Sequence, residues 1–237
     1  MKKAVALIEL IFAIVIIGLS LLSIPNIIGM STKSSNEAFT QEAISNGFSF
    51  MGMILAQYWD EVVTDPKYNS SILYVKNGDS ELEEAKDAYG NLLGIRVGSA
   101  LSTSRRFAKD INGTKIYATS PSHFGVDVND TVADDIDDFH NSSTTLQNIE
   151  STTPESGDYK DISITMNVKV AYILDSNNYS ATSINFDNPF NNISATQSTN
   201  IKAITLQITS SNDPTKNIIF RAFSCNIGAG EIKERLF

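Results

Sequence analysis

The stretch from Ala4 to Ile28 constrains this chain more than any other feature. Its 25 residues carry one charge, Glu9, and follow the basic start Met1-Lys2-Lys3. As a helix it would span roughly 38 Å, enough to cross a hydrocarbon core of about 30 Å. Lys2 and Lys3 favour a cytoplasmic N-terminus, which would send everything after the helix outward. A cleaved secretory signal fits poorly. Its apolar region runs to about 7–15 residues and ends at a small-x-small site, and no such site stands around Ser23-Ile24-Pro25. A plain signal anchor fits the length but leaves Glu9 unexplained. A carboxylate inside a membrane helix costs about 2.5–3.5 kcal/mol on insertion scales, so it calls for a partner or a task. The alternative is a carboxylate that snorkels to the membrane edge, since Glu9 lies near the start of the run.

The 237 residues suit one ordinary domain with an appendage, and 42% hydrophobic against 19% charged is neither disordered nor fibrous. Acids outnumber bases 27 to 18, a net charge of -9. That argues against a broadly basic nucleic-acid binder but leaves a local patch open. Arg105, Arg106, Lys109 and Lys115 form such a patch, readable as a phosphate-contacting DNA surface or as a solvated face. One cysteine, Cys225, excludes an intrachain disulfide and a four-cysteine zinc site. It reads as a structural thiol. His123 and His140 are too few for a histidine-rich metal centre. There is no Gly-x-Ser-x-Gly elbow, no phosphate-binding glycine loop and no His-Glu-x-x-His. The expectation is a non-enzyme with no cofactor and no assigned metal.

Lys2-Lys3-Ala4, then Val5-Ala6-Leu7-Ile8-Glu9-Leu10-Ile11-Phe12, then Ala13-Ile14-Val15-Ile16-Ile17-Gly18, resembles the class III leader and N-terminal helix of type IV pilins and type II secretion pseudopilins. Members carry a short basic leader ending in Gly or Ala, an apolar first mature residue, and Glu at the fifth mature position. A cut between Ala4 and Val5 gives Glu9 that place. Gly18 falls where the family often has Gly, and Pro25 lies one residue before its helix-kinking proline. Ala4 stands for the usual Gly and Val5 for the usual Phe; the family tolerates both. The likeness covers about 25 residues and is specific. It implies a prepilin peptidase that removes residues 1–4 and N-methylates Val5. It also implies that Glu9 of one subunit pairs with the amine of a neighbour. In a low-dielectric medium each charge is costly alone and the pair attracts strongly.

Residues 26–63 keep a helical period and become amphipathic. Ile44, Phe48, Met51, Leu55, Tyr58 and Val62 form one apolar stripe, expected to face a core. Pro25 should kink or locally melt the helix. Gly29, Gly47 and Gly52 should soften it, at about 1 kcal/mol each against Ala. Thr64-Asp65-Pro66 reads as the stop. The expected divisions are a leader over 1–4, a membrane half over 5–30, an amphipathic half over 31–63 and an exported head over 64–237.

In the head, Ile72–Val75, Leu92–Val97 and Thr114–Ala118 read as strands. Asp161–Leu174 alternates most clearly, through Ile162, Ile164, Met166, Val168, Val170 and Tyr172. Ile201–Thr209 and Ile218–Ser224 complete an expected antiparallel sheet that would cover the helix stripe. Residues 141–158 and 176–200, rich in Ser, Thr and Asn, read as surface loops. Asp127–Asp138 reads as a calcium loop or as a solvated acidic loop, and it fails the EF-hand template at Val132 and Asp138. Asn112 and Asn129 sit in acidic N-glycosylation sequons that arise easily by chance. Asp134–His140 and Tyr58-Trp59-Asp60-Glu61 weakly resemble segments of minor pilins of the mannose-sensitive haemagglutinin type. Trp59 and Phe139 are expected core anchors.

The expected fold is α+β and pilin-like, a long N-terminal helix packed on an antiparallel sheet head. The head's size, its long loops and the missing disulfide favour a minor pilin or pseudopilin. Such a subunit would sit in a bacterial inner membrane as a single pass with a periplasmic head, or in a surface filament. The implied partners are prepilin peptidase, other pilin or pseudopilin subunits, an inner-membrane assembly platform and membrane lipid. Secretion, pilus and DNA-uptake machines all remain open. The reading from a different class is a signal-anchored periplasmic binding module that does not polymerise.

Overall fold

The computed structural model describes residues 2–126, 132–147, 163–174, 181–183, 188, 190, 194–210 and 216–229. The chain divides into two compact units, residues 1–46 and 47–237. It is an α+β protein in which one long helix, α1 (Lys2–Leu55), precedes the strands.

In the first unit every described side chain from Ile8 to Ser34 is exposed. This helix is long and apolar enough to cross a membrane, with a mean hydropathy of 2.5 over its most apolar window. Its hydroxyl groups are satisfied within the helix. Ser20, Ser23 and Thr32 donate to the carbonyls of Ile16 (2.8 Å), Leu19 (3.2 Å) and Ile28 (2.9 Å). That back-bonding satisfies their polar hydrogens within the helix itself. Pro25 lies inside α1, which continues across it without interruption. The proline removes one backbone donor there.

In the second unit α1 stops at Leu55, short of the expected Val63. The last turn tightens: the Ala56 N–H is shared between Gly52 O (3.1 Å) and Met53 O (3.2 Å), and Gln57 N–H donates to Ile54 O (3.1 Å). Tyr58 then leaves the helix altogether. Its N–H reaches Asp134 O (3.4 Å) and its carbonyl accepts from Ile136 N–H (2.9 Å). The buried face also differs from the expected stripe. Met51 and Ile54 are buried, whereas Phe48 is 74% exposed and Leu55 and Tyr58 are largely open. Tyr58 and Val62 lie beyond the end of α1, so counting them as positions of that helix selects the wrong phase.

The main sheet has four antiparallel strands in the order β3-β4-β5-β6, with β3 Ser143–Gln147, β4 Ser163–Ile173, β5 Ile201–Ser210 and β6 Asn217–Cys225. The register pairs Met166 with Ile208, Val168 with Leu206, Val170 with Ile204 and Tyr172 with Lys202. All eight of these side chains are buried, so the even-numbered residues of both central strands make one face of the core. Ile162, expected in this alternation, lies outside the described residues. Strand β3 falls within the segment expected to be a loop. Its Thr144 and Thr145 favour extended structure, but Leu146 is its only apolar residue and gives no period.

A two-stranded hairpin, β1 Glu84–Lys86 and β2 Leu92–Arg96, stands apart from this sheet. The expected strands at Ile72–Val75 and Thr114–Ala118 form only isolated bridges, Ile72 with Phe107, Tyr74 with Tyr117 and Lys115 with Lys109. Leu73, Val63, Ala108 and Ala118 nevertheless close a second small core there, with Trp59 packed against it.

Gly47 belongs to the interior of this unit. A Cβ built on it would lie 2.5 Å from both Ile208 Cδ1 and Phe220 Cε2, whereas one on Gly52 meets nothing within 4 Å. The missing side chain lets the last turns of α1 sit directly on β5 and β6. Phe50 adds an edge-on contact to Phe139, ring centres 6.2 Å apart. Gly47→Ala should therefore destabilise the head by about 1–3 kcal/mol through overpacking. Gly52→Ala should stabilise it by about 0.5–1 kcal/mol through helix propensity. Thermal unfolding of the two variants should show midpoints moving in opposite directions.

Candidate functional site

The residues singled out in the sequence are strung along α1. Ala4 and Val5 lie in its first turns, Glu9 is exposed, and Pro25 sits within the apolar run. No ion pair joins Glu9 to another side chain among the described residues. From Ile8 to Ile28 α1 thus presents an exposed apolar surface carrying one acid, and a surface of that size marks a membrane or protein contact.

A second constellation was not anticipated. Lys202, near the start of β5, is completely buried. Its Nζ donates to the Trp59 carbonyl (2.6 Å), Asp60 Oδ2 (3.2 Å) and Asp137 Oδ1 (2.5 Å). The ring centres of Trp59, Phe124 and Tyr172 lie 4.4, 5.4 and 5.6 Å from it. Three segments converge here. The end of α1 brings Trp59 and Asp60, a 3-10 turn (Asp137–Phe139) brings Asp137, and the paired strands bring Tyr172 opposite Lys202. Asp60 also accepts from the Thr119 N–H (2.9 Å), the Thr119 hydroxyl (3.1 Å) and the Val62 N–H (3.4 Å), capping the 3-10 turn Glu61–Thr64. The Tyr172 hydroxyl donates to the Thr119 carbonyl at 2.8 Å.

Asp135 adjoins this pair. Burial, then the charge of Asp137, push its carboxyl up to about 9, so it stays protonated at neutral pH and hydrogen-bonds Asp137. Burial likewise raises Asp137, opposed by the charge of Lys202. Burial, then the charges of Asp60, Asp137 and Asp135, raise the Tyr172 phenol well above its ordinary range. One buried base thus faces three buried acids, which stay together because at least one of them holds its proton.

A third group surrounds Glu84 on the hairpin. It accepts from the Tyr74 hydroxyl (2.5 Å), Gly94 N–H (2.7 Å) and Lys109 Nζ (2.8 Å). Burial pushes Glu84 up, but the hydrogen bonds from Lys109, Tyr74 and Gly94 outweigh it and hold the carboxyl below its usual range. Beside it opens a cleft of 480 Å³ that includes Tyr74, Lys76, Phe107, Lys115 and Tyr117. The ammonium groups of Lys76 and Lys115 rest over the rings of Tyr117 (3.8 Å) and Tyr74 (4.8 Å).

These contacts disperse the basic cluster of the sequence. Lys109 is paired with Glu84, Lys115 lies on Tyr74, and Arg106 donates to the carbonyls of Leu93 (3.2 Å) and Leu101 (3.0 Å). Of the acidic stretch, residues 127–131, with Asn129, lie outside the described residues. Asp135 and Asp137 face the lysine, and Asp138 accepts the backbone N–H of Asp134 at 3.0 Å. Glu61, Asp134 and Asp138 bring carboxylate oxygens within 4.8 Å of one another; Asp138 is already engaged in closing this turn, and no ligand role is assigned to the three. Asn112 lies in an exposed turn closed by Asp110, which accepts from the N–H groups of Asn112 and Thr114 at 2.8 Å each. Cys225 is half-buried at the end of β6. Trp59 and Phe139 anchor the core as expected: Phe139 is buried, and the Trp59 indole donates to the Ser224 carbonyl at 3.2 Å.

Nothing in the sequence flagged Lys202. The odd feature was a lysine at an inward, even-numbered position of a strand whose other even positions are Ile204, Leu206 and Ile208. Comparison with protein-family models, with curated proteins and with solved structures finds no match.

The raised Asp135 fixes a sign. A carboxyl whose folded pKa exceeds its unfolded value stabilises the fold fully below the unfolded value and loses that contribution as pH rises through the folded one. On account of Asp135, head stability should fall as pH rises from 3.8 to about 9. Calorimetry of the detergent-solubilised chain across this range should show the decline, and Asp135→Asn should flatten it.

Proposed function

We propose that this chain is a structural subunit, a minor pilin or pseudopilin, of a type IV pilus or type II secretion pseudopilus. It is made with a leader that ends at Ala4, matures at Val5, and is held in the inner membrane by the apolar half of α1 with the head in the periplasm. The observation that carries this reading is the lone carboxylate of Glu9 in the otherwise uncharged run 4–28 of α1, whose described side chains are exposed, five residues beyond Ala4. The exposed surface of α1 supports a helix that contacts lipid before assembly and other subunits afterwards. Glu9 then takes its counter-charge from the new amine of a neighbour, which sets the axial register between copies. The subunit meets prepilin peptidase first, then an assembly platform in the same membrane.

Two measurements test this. Mass spectrometry of the mature protein should find a chain that begins at an N-methylated Val5. An intact Met1, or a cut near residue 25, would instead indicate a signal-anchored binding module. Glu9→Val should leave membrane insertion intact while reducing incorporation into filaments by at least tenfold in pelleted filament fractions; unchanged incorporation would remove Glu9 from assembly.

A further inference from the structure

We infer that Lys202 and Asp137 join through an intramolecular amide bond between Lys202 Nζ and Asp137 Cγ, with Asp135 moving the protons. Contact, exclusion of water and an adjacent acid all meet at this point, and nothing in the proposed filament role requires them.

Nζ lies 2.5 Å from Asp137 Oδ1, and the two side chains are 0% and 4% exposed. Each is held by its own element, Lys202 by the strand pairing with Tyr172 and Asp137 by the 3-10 turn. Holding two reacting groups together in this way supplies effective molarities on the order of 10⁵–10⁸ M. Three aromatic rings surround the amine. Burial penalises the charged pair, and the reaction draws on the form in which one proton has crossed from Nζ to the carboxylate. A desolvated lysine amine is a competent nucleophile.

The geometry also selects among the three acids. Asp60 accepts from Thr119 twice and from Val62, so both its oxygens are already engaged, and its contact to Nζ is the longer one at 3.2 Å. Asp137 instead receives the hydrogen bond of protonated Asp135, which withdraws electron density from its carbonyl. The Nζ lone pair adds to Asp137 Cγ. Asp135 gives its proton to the departing hydroxyl and takes one from Nζ, ending as it began. One Nζ–Cγ bond forms, one Cγ–O bond breaks and one water leaves, with no oxidant or activated carrier. The product replaces a buried ion pair with a neutral amide. It also ties the turn after the first half of the head to the central strand of the sheet.

Intact-mass spectrometry of the purified full-length chain under denaturing conditions provides the test. After allowance for any N-terminal processing, the mass should fall short of the sequence mass by one water. Trypsin should fail to cut at Lys202 and should release a branched species joining residues 116–160 to residues 170–216. Fragmentation should place the branch between Asp137 and Lys202. Asp135→Asn should restore the lost water and the tryptic cut, as should Lys202→Met. The wild-type readout does not depend on either variant folding. A wild-type chain of full mass with unbranched peptides, or a branch at Asp60, would overturn the assignment. Processing at Val5 alters only the first peptide, so this outcome is independent of the filament reading.

Discussion

The head of this protein depends on the burial of one lysine side chain. Lys202 sits on the inward face of a strand where its neighbours are Ile204, Leu206 and Ile208, and a lysine there would unfold the sheet unless every donor found an acceptor. The acceptors come from elsewhere in the chain: the Trp59 carbonyl, Asp60 and Asp137. The lysine therefore dictates where the helix must end and where the acidic turn must lie. Had α1 continued beyond Leu55, the Trp59 carbonyl would have been committed to the helical ladder. Apolar replacement of a buried ion cluster can leave stability unchanged or improve it. What the cluster contributes is a single permitted docking of helix end, turn and sheet, since a shift of any one leaves a buried charge without its partner.

The same logic explains the unequal faces of the molecule. Around Lys202 the chain uses rings as well as carboxylates, and Tyr172 serves twice. Its ring faces the ammonium, and its hydroxyl fixes Thr119, which in turn holds Asp60. On the hairpin, Glu84 does a similar task with opposite charge, drawing together Tyr74, Lys109 and the backbone of Gly94. These two centres occupy places where the regular sheet stops and isolated bridges take over. Polar networks supply the definition that strand pairing does not.

How much could be read in advance follows from where the information lies. β4 and β5 were legible because Ile164, Met166, Val168 and Val170 alternate with polar residues, and a period of two is a local property. The apolar run of α1 was legible for the same reason, and it also places the lone Glu9. β3 was hidden because Ser143-Thr144-Thr145 has no apolar face, and β1 because Glu84-Ala85-Lys86 has helix-forming composition that a tertiary pairing overrides. The end of α1 was misplaced because Tyr58 and Val62 continue the heptad-like spacing after the backbone has turned away. The Lys202 cluster was the least legible part. Asp60, Asp137 and Lys202 are far apart in sequence, and each alone reads as a surface charge.

Glu9 and Lys202 pose one problem in two settings. Each is an ionisable group in apolar surroundings, which is stable only with a counter-charge in reach. For Lys202 the chain folds its own carboxylates around the ammonium, and the solution is complete within one molecule. For Glu9 no ion pair is made among the described residues: beyond it the first unit carries Lys33, Glu37 and Glu42, and the one cation of these, Lys33, pairs with Glu37 at 3.8 Å. At about 1.5 Å per residue, Lys33 is also some 36 Å farther along the helix. Its counter-charge is therefore not among the described side chains. On the filament reading proposed above, a second copy displaced along the helix axis would bring its amine to the level of Glu9, and the same rule that gathers carboxylates around Lys202 within one chain would then act between chains.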